Sequence, residues 1–273
     1  MKKRITTSNS KLFRMAVVAL LDAVGLKSAI KNLVRRGRAW GIPKSEPCIV
    51  CVIPHDSSSF TQGLHIHDGI LYESSGIVGE SSLRVIDRQT GKVIKTVPVK
   101  DGFAEGIAAV GDRMVQLTWR EEMALVYRLP DLISLESHSY AGEGWGMSAT
   151  AERYLTSDGS DEIAYRDLLF RKIKTLKVRI NGFPLKGIND LAWVNGTIYC
   201  NVLRDDNIYQ VDESSGRVLH ILNCSRLSKL GARSNESYVL NGIAYDQLTD
   251  SLFITGKRWK YYFQVRLSEF EDS

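Results

Sequence analysis

A motif that returns five times limits what this chain can fold into more than any other feature. Phe103-Ala104-Glu105-Gly106-Ile107 has counterparts in Phe60-Thr61-Gln62-Gly63-Leu64, Gly144-Trp145-Gly146-Met147, Ile188-Asn189-Asp190-Leu191 and Leu240-Asn241-Gly242-Ile243. The Gly or Asp positions fall at 63, 106, 146, 190 and 242, in steps of 43, 40, 44 and 52 residues. A period of this size built from short strands predicts an all-β chain, a five-bladed β-propeller, with one repeat per blade.

A second set of segments follows the first. Leu71 to Gly76, Met114 to Trp119, Tyr154 to Gly159, Ile198 to Leu203 and Leu252 to Lys257 come after short turns such as Asp68-Gly69 and Asn195-Gly196, so each pair reads as a hairpin. In an antiparallel hairpin the start of the first strand and the end of the second share an edge. Five innermost hairpins in a ring therefore bring Gln62, Glu105, Trp145, Asn189 and Asn241 together with Gly76, Trp119, Gly159, Leu203 and Lys257 around one channel mouth. One carboxylate, one ammonium, several amides and two indoles make the inventory of a small-molecule pocket.

Further hairpins follow one design, with Asp-, Ser/Thr- and Gly-rich turns at Asp87 to Gly91 and Asp212 to Gly216. The long last step holds an insertion over residues 221 to 240, with a short helix expected around Ser225 to Leu230. Ring closure needs a partner for the final blade, and Ile49 to Ile53 is expected to pair with the strand around Phe263 to Leu267.

Charge separates an arm from a body. Residues 1 to 46 hold eleven Lys/Arg against Asp22 and Glu46, a balance of +9, and the remainder carries 25 basic against 29 acidic residues. The expected division is thus an arm over 1–46 and a propeller over 47–273, and the body has no basic excess suited to nucleic acid. The arm supports two functional readings beside a plain one, a helix packed on or trailing from the body. Its basic start, the apolar run from Met15 to Leu26 and Ala23-Val24-Gly25 have the form of a signal peptide, which implies export to a periplasmic or extracellular location. Its second half, with Lys27, Lys31, Arg35, Arg36 and Arg38 among Ile30, Leu33 and Val34, reads as a basic amphipathic helix for a membrane surface.

Cys48, Cys51, Cys200 and Cys224 do not make a zinc site, because the CxxC spacing lies in an apolar strand and no second ligand pair accompanies it. They read as buried free thiols, with a disulfide left open in an oxidising compartment. His65 and His67, two apart on one strand, lack a third ligand and read as a solvated face, and His55 in Pro54-His55-Asp56 reads as part of a turn. No metal or cofactor is expected.

Taken together, Pro54-His55-Asp56, Phe60 to Leu64, Leu71 to Gly76, Gln116 to Trp119, Gly142-Glu143-Gly144-Trp145-Gly146, Leu240 to Asp246 and Thr255-Gly256-Lys257-Arg258-Trp259 resemble the plant and bacterial glutaminyl-peptide cyclotransferases. The resemblance runs in order from Pro54 to about Val265. It implies a five-bladed propeller and a metal-independent reaction that turns an N-terminal glutamine of a peptide or protein into pyroglutamate with release of ammonia. It also implies a catalytic role for Glu105, and a substrate pocket of Phe60, Gln62, Phe103, Trp119, Trp145, Asn189 and Lys257. Two positions depart from the family pattern. Leu203 stands where tryptophan is usual, which bears on substrate affinity, and Asp190 stands where glutamate is usual. Two other classes fit parts of the sequence: a calcium-dependent propeller hydrolase using Glu105, Asn189, Asp190 and Asn241 as oxygen ligands, and a catalytically silent binding propeller.

Overall fold

The computed structural model describes residues 34, 37–100, 102–232 and 238–267. Most of the arm lies outside the described residues, and with it the signal-peptide and amphipathic-helix readings. The chain divides into two compact units, Met1–Gly41 and Ile42–Ser273. The second is a five-bladed β-propeller. Blade I is β3 (Thr61–His67), β4 (Ile70–Ser75), β5 (Ser82–Ile86) and β6 (Val93–Pro98), and blade II is β7 (Ala104–Val110), β8 (Arg113–Thr118), β9 (Met123–Arg128) and β10 (Ile133–Ser139). Blade III comprises β11 (Met147–Ala149), β12 (Tyr154–Ser157), β13 (Glu162–Arg166) and β14 (Lys172–Lys177). Blade IV comprises β17 (Ile188–Val194), β18 (Thr197–Val202), β19 (Asn207–Asp212) and β20 (Val218–Asn223). A small hairpin, β15 (Arg179–Ile180) and β16 (Phe183–Pro184), joins blades III and IV. Blade V is β21 (Leu240–Asp246), β22 (Ser251–Gly256) and β23 (Tyr261–Arg266), completed by β2 (Cys48–Pro54).

Closure follows the expected pairing: β2 runs antiparallel to β23, with Ile49 opposite Val265 and Val52 opposite Phe263. Just before it, β1 (Lys44–Ser45) adds in parallel to β20, so strand pairing begins ahead of residue 47. β2 is thereby the outer strand of blade V, and β1 lies outside β20 in blade IV. A buried node reinforces the seam. Glu73 accepts from His55 Nε2 at 2.9 Å, Thr61 Oγ1 at 2.6 Å and Tyr262 Oη at 3.2 Å, while His55 Nδ1 lies 2.8 Å from the Trp259 carbonyl. Burial acts against the Glu73 charge, but His55, Thr61 and Arg84 hold its pKa below the ordinary value. His55 is therefore a strut between β2, blade I and blade V.

Burial falls outward through blades I, II, III and V, whereas β20 of blade IV, flanked by β1, stays mostly buried. The innermost strands β3 and β7 are almost wholly buried, whereas β6 and β10 are almost wholly exposed, which explains Ala-Glu-Gly-Ile-Ala-Ala in one and Lys, Glu, Ser and His in the others. Hydrophobic clusters fill the joins between blades: Tyr72, Leu83, Ile107 and Met114 lie between I and II, and Val115, Leu117, Met147 and Tyr154 between II and III. The insertion holds α1 (Ser225–Gly231), where the short helix was expected, and its Leu227 packs with Ile208, Ile254 and Phe263.

The repeat glycines have a steric cause. A Cβ on Gly106 would stand 2.5 Å from Met147 N, and one on Gly146 would overlap the Asn189 carbonyl. Neighbouring inner strands thus touch backbone to backbone near the axis, which only glycine permits. In the fourth repeat Asp190 takes the glycine place, and its Oδ2 accepts the N–H of Leu64 in blade I at 3.2 Å and of Ile243 in blade V at 2.8 Å. The expected channel is consequently stoppered at this level. Beyond it, at the opposite end of the ring, a recess of about 740 Å³ is lined by His65, His67, Trp193 and Leu248 among others. His65 and His67, both half-buried, stack there with ring centroids 6.1 Å apart, and burial, with His67 beside it, pushes the His65 pKa down to about 3.

The cysteines depart in part from expectation. All four are free, and Cys200 and Cys224 are buried, but Cys51 is exposed and Cys48 half-buried. A register shift between Ile49 and Cys51 breaks the alternation of β2 and turns this pair outward.

Candidate active site

The mouth is built by one local device repeated around the ring. Each inner hairpin shifts register at the motif: between Thr61 and Gly63, Ala104 and Ile107, Ile188 and Leu191, and Leu240 and Ile243. In blade III, Trp145 N–H and the Gly146 carbonyl both bond Ser157, the same two-against-one arrangement. A bulge re-aims the side chain of the extra residue. That is how Gln62, Glu105, Asn189 and Asn241 come to surround one space though strict alternation would not place them so.

Glu105 lies at the centre of the polar set and is 5% exposed. Gln62 Nε2 donates to its Oε1 at 3.2 Å, and Asn241 Nδ2 donates to Gln62 Oε1 at 3.1 Å. Asn201 Nδ2 in turn donates to Asn241 Oδ1 at 3.3 Å and is anchored on the Leu240 carbonyl at 2.8 Å. The three amides form a chain, each fixing the next, that ends on the carboxylate. Asn201 was not singled out in the sequence, since an asparagine at the end of β18 carries no signal until its blade V partner is known.

Electrostatics favours a proton-accepting carboxyl. Burial raises the Glu105 pKa well above its ordinary value; Lys257 opposes the rise, and Asp190, Glu143 and Glu121 add to it. Burial likewise lowers the pKa of Lys257, with Glu105 acting against that shift. Both groups are thus drawn toward neutrality by desolvation and toward charge by each other.

Aromatic rings form an arc over this floor. Lys257 Nζ sits 4.8 Å from the Phe60 ring centroid, Phe60 meets Phe103 edge-on at 6.3 Å, and Phe103 meets Trp119 at 5.7 Å. Gly76 and Gly159 are the seats of this arc: a Cβ at Gly76 would overlap the Phe103 ring, and one at Gly159 would come 2.6 Å from the Trp145 ring. The structure therefore brings together Phe60, Gln62, Phe103, Glu105, Trp119, Trp145 and Lys257. Asn189 reaches the same mouth from blade IV, 3% exposed, and its Oδ1 has no hydrogen-bond partner. Leu203 ends the blade IV hairpin, its N–H on the Gly187 carbonyl, and contributes no ring, so the arc runs through blades I to III and stops.

Part of the oxygen set a calcium hydrolase would need is already taken, while Asn189 Oδ1 and Asp190 Oδ1 have no partner. Asp190 Oδ2 holds two backbone amides and Asn241 Oδ1 holds Asn201. Among the described residues no three His, Cys, Asp or Glu side chains are grouped to hold a metal.

A family model described as glutamine cyclotransferase matches residues 21–267. A glutaminyl-peptide cyclotransferase of Arabidopsis thaliana is 33% identical over 230 residues, which make up 81% of this chain and 71% of that protein. The crystal structure of Myxococcus xanthus glutaminyl cyclase matches with a TM-score of 0.78 at 30% identity, covering 82% of this chain and 97% of that one. The likeness thus spans the whole propeller in both sequence and fold.

Proposed function

The chain belongs to the glutamine cyclotransferase family, and from that premise we propose that Glu105 moves the protons in its reaction. The activity is that of a glutaminyl-peptide cyclotransferase: N-terminal glutamine of peptides or proteins becomes pyroglutamate, and ammonia leaves. The observation that carries the proposal is a buried carboxylate with a raised pKa, held by Gln62 within an aromatic arc.

The substrate's α-amine attacks its own side-chain carbonyl carbon, so the nucleophile is tethered, and the pocket gains chiefly by holding one rotamer. A model α-amino group has a pKa of roughly 7.7–8.0, so most of it must lose a proton before attack at neutral pH. Glu105 takes the proton released as the C–N bond forms and returns it to the departing nitrogen, which leaves as ammonia. Its raised pKa suits both halves of that transfer.

The oxyanion on the former γ-carbonyl needs donors not already spent. Gln62 Nε2 gives one of its two N–H groups to Glu105, and Asn241 Nδ2 faces Thr61 and Gln62 oxygens. Lys257 Nζ, with no hydrogen bond or ion pair among the described residues, takes that role, as its charge is felt at Glu105. Asn189 Oδ1, a buried acceptor without a partner, receives an N–H of the substrate. Phe60, Phe103, Trp119 and Trp145 exclude water from the flat amide.

The direct test is ammonia release from a short Gln-initiated peptide. Turnover is expected with the free N-terminus and not with its N-acetylated form, and it should survive dialysis against EDTA. Turnover of the acetylated peptide, or activity lost to EDTA and regained with calcium or zinc, would overturn this reading.

Leu203 supports a further expectation about affinity. An indole there would extend the aromatic arc into blade IV, adding roughly 0.5–1.5 kcal/mol beyond buried area. Leu203→Trp should therefore lower KM by about two- to tenfold with kcat little changed. Steady-state kinetics on the same peptide checks it, and a change confined to kcat would assign the position to the reacting groups instead.

A further inference from the structure

Glu143 lies in a motif whose tryptophan drew attention while the carboxylate did not. Its Oε2 accepts two indole N–H groups, from Trp119 in blade II at 2.9 Å and from Trp145 at the start of blade III at 3.0 Å. Its Oε1 accepts Arg120 Nε at 3.1 Å, and the Arg120 guanidinium lies 3.8 Å from the Trp119 ring centroid. One carboxylate therefore fixes two pocket rings on different blades, and a cation covers one of them.

We propose that Glu143 is a positioning residue of the pocket, which locks the indoles of Trp119 and Trp145 so that substrate meets their faces and not their N–H groups. The proposal rests on the pocket reading above and adds a specificity determinant to it. An indole has a single N–H donor. With both donors spent on Glu143, neither tryptophan can hold the oxyanion. The bonds are charge-assisted, at 2.9, 3.0 and 3.1 Å. They keep Glu143 ionised: the Trp145 bond acts most strongly to hold its pKa below the ordinary value, with Trp119 and Arg120 adding to it against some desolvation.

A purely structural role fits poorly. The Glu143 side chain is 39% exposed and Trp119 and Trp145 are only half-buried, so the cluster is peripheral to the core. What it controls is the angle of two rings. Trp145 rests against Gly159 and Trp119 against Phe103, and each ring would be free to turn about its side-chain bonds if its N–H lost its acceptor.

The test compares Glu143→Gln and Glu143→Ala with the parent chain, reading KM and kcat for a Gln-initiated peptide, near-UV circular dichroism and thermal melting. Glu143→Ala is expected to melt close to the parent, to change the near-UV tryptophan bands, and to raise KM by about tenfold with kcat within about threefold. Glu143→Gln, which keeps one acceptor oxygen, should fall between the two. An unchanged tryptophan spectrum in folded Glu143→Ala overturns the clamp, as does a KM within twofold of the parent. A fall in kcat alone overturns it too, by making Glu143 a group that acts on the reacting atoms. If Glu143→Ala does not fold, the same readings on Glu143→Gln decide. A parent inert toward Gln-initiated peptides would sink the functional reading, while the spectra would still report on the clamp.

Discussion

Glu105→Gln is expected to lower kcat for ammonia release by roughly two to four orders of magnitude, the usual worth of general acid-base catalysis. The substitution keeps the shape of the side chain and an oxygen to accept Gln62 Nε2, so the chain of amides from Asn201 through Asn241 and Gln62 retains its end point. What it removes is the ability to accept a proton and give it back. KM should change less, because the rings of Phe60, Phe103, Trp119 and Trp145 that hold the substrate do not touch this exchange. The pH profile gives a second reading. Since burial raises the Glu105 pKa, the acidic limb of kcat/KM in the parent should lie above the ordinary carboxylate range. In the variant's residual activity that limb should vanish, leaving only the titration of the substrate amine. A folded variant that turns over near the parent's rate would remove Glu105 from the chemistry.

The residues behind this expectation were legible in the sequence because the repeat places them. Glu105 is the acidic member of ten positions picked out by period and hairpin geometry, and the pairing of β2 with β23 follows from the need to close a ring. The bulges could not be read. They depend on how closely neighbouring inner strands approach, and Gly106 and Gly146 show that closeness only when Met147 N and the Asn189 carbonyl are in place beside them. Glu143 and Asn201 escaped for a related reason. The Trp119 partner of Glu143 and the Asn241 partner of Asn201 sit on other blades, 24 and 40 residues away, at separations no local pattern encodes. Cys51 is exposed, against the expectation of a buried thiol, because β2 is the outer strand of blade V and is bulged between Ile49 and Cys51.

Asp190 illustrates the same limit and supports the second large expectation. In the sequence it reads as a shortened family residue; in the structure it stoppers the ring, bonded through Oδ2 to blades I and V, with Oδ1 lacking a partner. Burial raises its pKa from 3.8 to about 7, against the opposing pull of the Ile243, Leu191, Leu64 and Met147 amides. The folded value therefore exceeds the unfolded one. Stability from this group is fully present below about pH 4 and is lost as pH rises through about 7, a total of about 4 kcal/mol at 1.36 kcal/mol per unit. Asp190→Asn cannot ionise and should not share that loss. Between pH 5 and pH 8 the stability of the variant relative to the parent should shift in the variant's favour by about 3 kcal/mol, or roughly 6–12 °C in Tm for a domain of this size. The comparison of slopes matters more than the offset at either pH, because an amide facing backbone N–H groups carries its own constant cost. Asp190 also raises the Glu105 pKa, so its removal should move the acidic limb of kcat/KM to lower pH. Urea or thermal melts of both proteins across this range decide the matter: parallel pH dependence would mean that Asp190 is ionised throughout and that the backbone amides, not burial, govern its charge.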